Sequence, residues 1–184
     1  MPVMAEPESP AAACLDGAVS AYRVCFVCSG NICRSPTAEA VLVSMLRAAG
    51  ISGVEVDSAG SGDWHAGDDM DRRARATLVA HGYRAPRHTA KQFRAADFAS
   101  RDLVVALDRG HEARLTHIAG LAGDPEAARE KIVLRSYDPG ADDLDVPDPY
   151  YDGPDGFLEV LRQIERACAG LRDRLAQQTE SPPL

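Results

Sequence analysis

Residues 24–36 read VCFVCSGNICRSP, and this stretch decides the fold. Val24, Cys25, Phe26 and Val27 form a continuous apolar run, the pattern of a short strand covered on both faces. Pro36 suits the first turn of a helix; Ala38, Val41, Leu42, Met45, Leu46 and Ala49 then recur at helical spacing until Gly50 stops it. A buried strand that passes through a short loop straight into a helix is the opening of a β-α-β unit.

The alternation continues along the chain. Val54, Glu55, Val56 and Asp57 alternate as an edge strand does, and Met70, Ala74, Thr77, Leu78 and His81 make a helical stripe closed by Gly82. Residues 103–107 are a third, fully apolar strand and residues 132–134 a fourth. Phe157, Leu161, Ile164, Cys168, Leu171 and Leu175 mark a long C-terminal helix, with Cys168 on its buried stripe. This order predicts a single α/β domain: a four-stranded parallel sheet with helices on both faces and right-handed crossovers. The domain is expected over residues 22–178. Residues 1–21, with Pro2, Pro7 and Pro10 and no apolar period, read as a disordered tail that holds an inert Cys14, and residues 179–184 as a short C-terminal one.

Composition narrows the function. A chain of 184 residues is one ordinary domain, and 45% hydrophobic with 26% charged residues is a soluble globular mixture. No apolar run approaches the roughly 18 residues that span a bilayer, and the N-terminus lacks the early Lys or Arg of a secretory signal. A net charge of -8 argues against nucleic acid or an anionic membrane as partner. Five cysteines, an odd count, suit reduced thiols in a cytoplasm better than a disulfide framework, and a monomer is the default expectation.

Sites in parallel α/β sheets lie at the carboxyl ends of the strands, which selects Cys28 onward, Asp57 with Ser58, Asp108, and the loops after Leu134. The first of these is the most specific. A loop entering a helix presents free backbone N–H groups and the positive end of the helix dipole. The amides of Ser29, Gly30, Asn31, Ile32, Cys33 and Arg34 are therefore expected to form an anion nest, with Gly30 and Asn31 best able to take the positive φ that inward curling requires. Cys28 lies at the base of that nest, where a thiolate is favoured, and the guanidinium of Arg34 can grip two oxygens of an oxyanion. Zinc on Cys25, Cys28 and Cys33 lacks a second ligand pair, and Cys25 lies inside the strand. Calcium on the acidic loop is interrupted by Pro147 and Pro149, without a D-x-D-x-D-G spacing. No metal and no cofactor are expected.

The run from Val27 to Pro36 resembles the phosphate loop of low-molecular-weight protein tyrosine phosphatases, bacterial type. Further matches follow in order: Asp57, Ser58, Ala59 and Gly60; Asp63, Trp64, His65 and Gly67; residues 88–92; Leu107 and Asp108; and Asp148, Pro149, Tyr150 and Tyr151. They cover about residues 23 to 172. Ser29 stands where the family more often has Leu or Thr, Lys91 where Arg is usual, and Leu107 replaces the common Met. The resemblance implies metal-free hydrolysis of phosphotyrosine proteins through a cysteinyl-phosphate, with phosphate and other oxyanions as inhibitors. Cys28 matches the nucleophile, Arg34 the oxyanion clamp and Asp148 the general acid. Asn31, Ser35, Ser58 and His88 match residues that brace the loop, and Trp64, Tyr150 and Tyr151 match the rim of an aromatic slot.

Three physical expectations accompany this. From Asp138 to Asp155 there are seven Asp and no Lys or Arg, so like-charge repulsion favours a protonated Asp148. Cys33, five residues after Cys28, is placed to trap an oxidised Cys28 as a disulfide. From Arg72 to Arg94 there are seven Lys or Arg and no acid, read as a solvated helix face. Rival readings are weaker. A thioredoxin-coupled arsenate reductase needs two further cysteines after the third strand, and no cysteine lies between Asp108 and Cys168. A protein arginine phosphatase carries Thr where Ile32 stands and Phe where Tyr150 stands. A receiver domain needs paired acids after strand one, and a dinucleotide binder needs G-x-G-x-x-G there.

Overall fold

The computed structural model describes residues 21–121, 123 and 131–180. Strand β1 (Tyr22–Cys28) runs parallel to β2 (Val54–Gly60) on one side and to β3 (Leu103–Ala106) on the other, and β4 (Lys131–Val133) pairs with β3, giving the order β2-β1-β3-β4. All pairings are parallel, and β2 is an edge, as its alternating sequence requires. The helices are α1 (Arg34–Ala48), α2 (Arg72–Ala80), α3 (Arg109–Leu121) and α4 (Pro154–Glu180), with 3-10 turns at Ala95–Ser100 and Leu134–Tyr137.

The central position of β1 explains its continuous apolar run. Val24, Phe26 and Cys28 face one side, against Val41 and Leu42 of α1, Leu78 of α2, and Leu161, Ile164 and Leu171 of α4. Cys25 and Val27 face the other, with Val104 and Ala106 of β3, Phe98, and Leu115 and Ala119 of α3. A strand with a side chain buried on both faces contributes roughly 1.5–3 kcal/mol per large residue, so the sheet is anchored at its centre.

Boundaries differ from the sequence reading by a residue or two. Asp71 caps α2 by accepting the Arg73 N–H at 2.8 Å, so Met70 and His81 flank that helix rather than belong to it. Leu107 and Leu134 lie just past their strands. Helix α4 runs through Thr179 and Glu180, two residues into the expected C-terminal tail. The expected N-terminal tail, apart from Ala21, and residues 181–184 fall outside the described residues. Helix α4 also crosses close to the turn at Leu134–Tyr137, where a Cβ added at Gly170 would overlap the Tyr137 carbonyl oxygen.

Candidate active site

The loop between β1 and α1 is held from outside by its carbonyl oxygens. Cys28 O accepts from Ser61 N at 2.7 Å, Ser29 O from Gly62 N at 3.1 Å, Asn31 O from His88 Nε2 at 2.8 Å, and Ile32 O from Asp71 N at 2.8 Å. Because carbonyls and amides alternate in direction around a tight loop, outward carbonyls turn the N–H groups inward. Among the described residues, none of the N–H groups of residues 29–33 donates within the protein. Cys33, in the cap position of α1, offers no side-chain cap, and the first turn holds no acid. The helix N-terminus is left open to an anion.

Asn31 fixes the bend. Its φ of 59° is the one positive value at a non-glycine among the described residues. The side chain, fully buried, donates from Nδ2 to Ser35 Oγ and Ser58 Oγ, both at 2.9 Å, and accepts the Lys91 N–H on Oδ1 at 3.0 Å. Gly30, by contrast, does not take a positive φ. It is glycine because a Cβ there would stand 2.7 Å from the His65 ring, so close approach replaces backbone freedom as the reason. Asn31, Ser35, Ser58 and His88 thus meet on one hydrogen-bond network around the loop, and Glu39 extends it by accepting from Ser58 Oγ at 2.6 Å.

Cys28 Sγ lies 3.0 Å from Ser35 Oγ at the floor of the loop. Cys33 is also buried, and burial, with Asp71, Cys28 and Asp148 nearby, pushes its thiol up to about 12. Arg34, almost fully buried, donates from Nη1 to Asp108 Oδ2 and from Nη2 to Asp148 Oδ2, each at 2.8 Å. Asp108 is held down at about 2: burial pushes it up, but His111 and Arg34 outweigh that.

Asp148 arrives on a pinned loop. Val146 N donates to Leu107 O at 2.9 Å, its carbonyl accepts from Arg34, and Arg109 binds Asp143 and Asp145. Asp138 is paired with Arg166. The crowd of like charges expected from the local sequence is therefore countered by arginines from other elements, and the nearest charge to Asp148 is Arg34. Of the basic run, Arg73 reaches this loop: it pairs with Asp71 and stacks over Tyr150 and Phe157. Arg75 and Lys91 are tied to Asp69 and Asp57.

Above the loop is an open cavity of about 360 Å³, lined by Cys28, Ser29, Gly30, Ile32, Cys33, Arg34, Trp64, His65, Asp148, Tyr150 and Tyr151. Trp64 is 72% exposed and lies across Gly62, where a Cβ would overlap its ring. Tyr150 and Tyr151 meet edge to face at 5.1 Å between centroids. The sequence reading gave no role to His65, Asp108 or His111. Asp108 was marked by its place at a strand end; nothing local marked His111, which reaches Ser29 only because β3 lies beside β1.

A parallel sheet whose central strand ends in a thiol, an inward-facing amide loop and a buried arginine defines the class of cysteine-loop phosphatases. Comparison with known proteins gives the family. The family model described as Low molecular weight phosphotyrosine protein phosphatase matches residues 23–181. A low molecular weight protein-tyrosine-phosphatase of Streptomyces coelicolor is 51% identical over 162 residues, 86% of this chain and 96% of that protein. Low molecular weight protein-tyrosine phosphatase A of Mycobacterium tuberculosis is 49% identical over 154 residues, 82% and 90% of the two chains. The crystal structure of YfkJ from Bacillus subtilis superposes with a TM-score of 0.79 at 32% identity, covering 88% of this chain and 99% of its own. The chain belongs to the low molecular weight protein tyrosine phosphatase family.

Proposed function

We propose that this protein hydrolyses phosphotyrosine in proteins through a cysteinyl-phosphate on Cys28, without metal or cofactor. The observation that carries the reading is the juxtaposition of Cys28 with a loop whose carbonyls at Cys28, Ser29, Asn31 and Ile32 are engaged outward and whose N–H groups are left free, among the described residues, beside Arg34. The Cys28 thiolate attacks phosphorus in line, with the Ser35 hydroxyl donating to it. The amides of residues 29 to 34 and the Arg34 guanidinium hold the equatorial oxygens as charge spreads over them. A phosphate must take the Nη2 arm that Asp148 occupies, which turns the carboxyl toward the leaving oxygen. Asp148 gives its proton to the tyrosine oxygen, then accepts one from the water that hydrolyses the cysteinyl-phosphate.

Trp64, Tyr150 and Tyr151 wall the cavity and suit a flat aryl ester; Ile32 and Tyr150 in that lining favour phosphotyrosine over phosphoarginine. One chain supplies every group, which fits a monomer. The described cysteines are free thiols, which fits the reducing cytoplasm. Inorganic phosphate and other oxyanions inhibit by filling the same nest. The test is turnover of an aryl phosphate in the presence of a chelator. Wild type is active, while Cys28→Ser loses several orders of magnitude and still binds phosphate or vanadate, because the amides remain. Chelator-sensitive turnover, or full activity in Cys28→Ser, refutes the mechanism.

A further inference from the structure

The roles proposed above use the backbone of Ser29 and leave its hydroxyl, and the whole of His111, without a task. Ser29 Oγ lies 2.9 Å from His111 Nε2 and accepts from Arg34 Nη2 at 3.3 Å. His111, buried in the first turn of α3, has Nδ1 2.9 Å from Asp108 Oδ1, an oxygen that also accepts its backbone N–H at 2.7 Å. The Nδ1 approach to that oxygen is too bent for a hydrogen bond, but a lone pair on Nδ1 would face the carboxylate and be repelled, which favours the hydrogen on Nδ1. Nε2 of the neutral ring is then an acceptor, and the Ser29 hydroxyl donates to it. Asp108 in turn holds Arg34 Nη1, so Ser29, His111, Asp108 and Arg34 form a closed circuit of contacts beside the anion site, which Ser29 and Arg34 line.

The charged groups around His111 are few and fixed. Asp108 faces it directly from the end of β3, and Arg34 lies beyond Asp108. Asp148 stands on the far side of Arg34, and Arg109, next to it in the helix, turns away to Asp143 and Asp145. Cys28 lies below, at the floor of the loop.

We propose that His111 is a positioning residue that sets the direction of the Ser29 hydroxyl, and so makes oxyanion binding proton-dependent. With His111 neutral, the Ser29 proton is committed to Nε2. When Nε2 takes a proton from solvent it becomes a donor, and Ser29 Oγ then receives N–H groups from both His111 and Arg34. Its own O–H turns into the cavity that Ser29 lines and donates to a bound oxyanion. No covalent bond other than Nε2–H forms. The bound anion gains one charge-assisted hydrogen bond, so its affinity rises when Nε2 is protonated.

The inference rests on reading the loop as an oxyanion site, and the experiment separates the two. Sulfate is the probe because its charge is constant over the range in which a histidine changes charge, about pH 5.5 to 8. The host is Cys28→Ser, so that no thiol titrates beneath the anion, and the single tryptophan, Trp64 at the rim, reports binding by fluorescence. Between those limits the host gains about tenfold more sulfate affinity than Cys28→Ser/Ser29→Ala, the effect of one hydrogen bond to a charged group. Ser29→Thr, which restores a hydroxyl, restores the gain, and His111→Gln in the Ser29 host abolishes it. Nitrogen-15 NMR places the His111 hydrogen on Nδ1 at the high-pH limit. Equal pH dependence in the serine and alanine proteins, or failure of threonine to rescue, overturns the switch and leaves the anion site standing. Absence of sulfate binding in every variant overturns both.

Discussion

Replacing Asn31 by glycine and, separately, by alanine divides the two forces that shape the phosphate loop. The side chain makes three hydrogen bonds, to Ser35 Oγ, Ser58 Oγ and Lys91 N, all within 3.0 Å and shielded from water. At about 1 kcal/mol each, both substitutions lose roughly 3 kcal/mol. Alanine further bears the cost of φ at 59°, about 1–2 kcal/mol, whereas glycine bears about 0.5–1 kcal/mol through the entropy of the unfolded chain. The totals are about 4–5 kcal/mol for alanine and about 3.5–4 kcal/mol for glycine. At roughly 2–4 °C per kcal/mol for a domain of this size, the two should melt about 8–20 °C and about 7–16 °C below wild type. Their activities should part. Glycine keeps the backbone path and alanine does not, so kcat/KM on an aryl phosphate should be about tenfold lower for alanine, the equivalent of 1.4 kcal/mol. Thermal melts and steady-state kinetics on the two variants decide it. A glycine variant that melts with wild type, or an alanine variant that outperforms it, refutes the view that Asn31 holds the loop by side-chain bonds in a left-handed backbone.

Other substitutions test separate parts of the molecule. Asp148→Ala should depress kcat far more for phenyl phosphate than for nitrophenyl phosphate, because the better leaving group needs less proton assistance; equal losses remove Asp148 from the acid role. Mild peroxide should inactivate Cys33→Ser irreversibly while wild type recovers with thiol, if Cys33 traps the oxidised Cys28; equal recovery leaves Cys33 a packing residue. Matched peptides should give at least about a hundredfold preference for phosphotyrosine over phosphoserine, with Trp64→Ala and Tyr150→Ala raising KM mainly, each aromatic contact adding about 0.5–1.5 kcal/mol. Gly170→Ala, which in an exposed helix gains stability, should here cost about 1–3 kcal/mol in a denaturant melt, because the new methyl meets the Tyr137 carbonyl.

Much of the molecule is legible in the sequence because the signals are local. A run apolar at every position, as in Val24 to Val27, says that both faces of a strand are covered, and the structure buries all four residues. Pro36 and the spacing of Val41, Leu42 and Leu46 mark a helix without reference to anything distant, and a loop that enters such a helix has free N–H groups at its first turn whatever surrounds it. The sequence also brings together, in ten residues, the thiol of Cys28 and the guanidinium of Arg34. Asn31 is announced by its type, being a residue that tolerates the left-handed bend. Gly30 shows the limit of such reasoning: its conformational freedom is unused, and the His65 ring that requires it comes from another loop.

Charge and pairing belong to the tertiary structure. A stretch with seven Asp and no cation looks self-repelling in one dimension, yet Arg34, Arg109 and Arg166 meet it in three. Asp148 reaches Arg34 across 114 positions because Val146 is tied to the end of β3, and His111 reaches Ser29 across 82 because β3 pairs with β1. Local sequence determines which backbone groups are satisfied within one turn or strand, since those interactions span a few residues. Coulomb interactions act through space instead, so the environment of an ionisable side chain follows from which strands are neighbours, and only the folded sheet decides that.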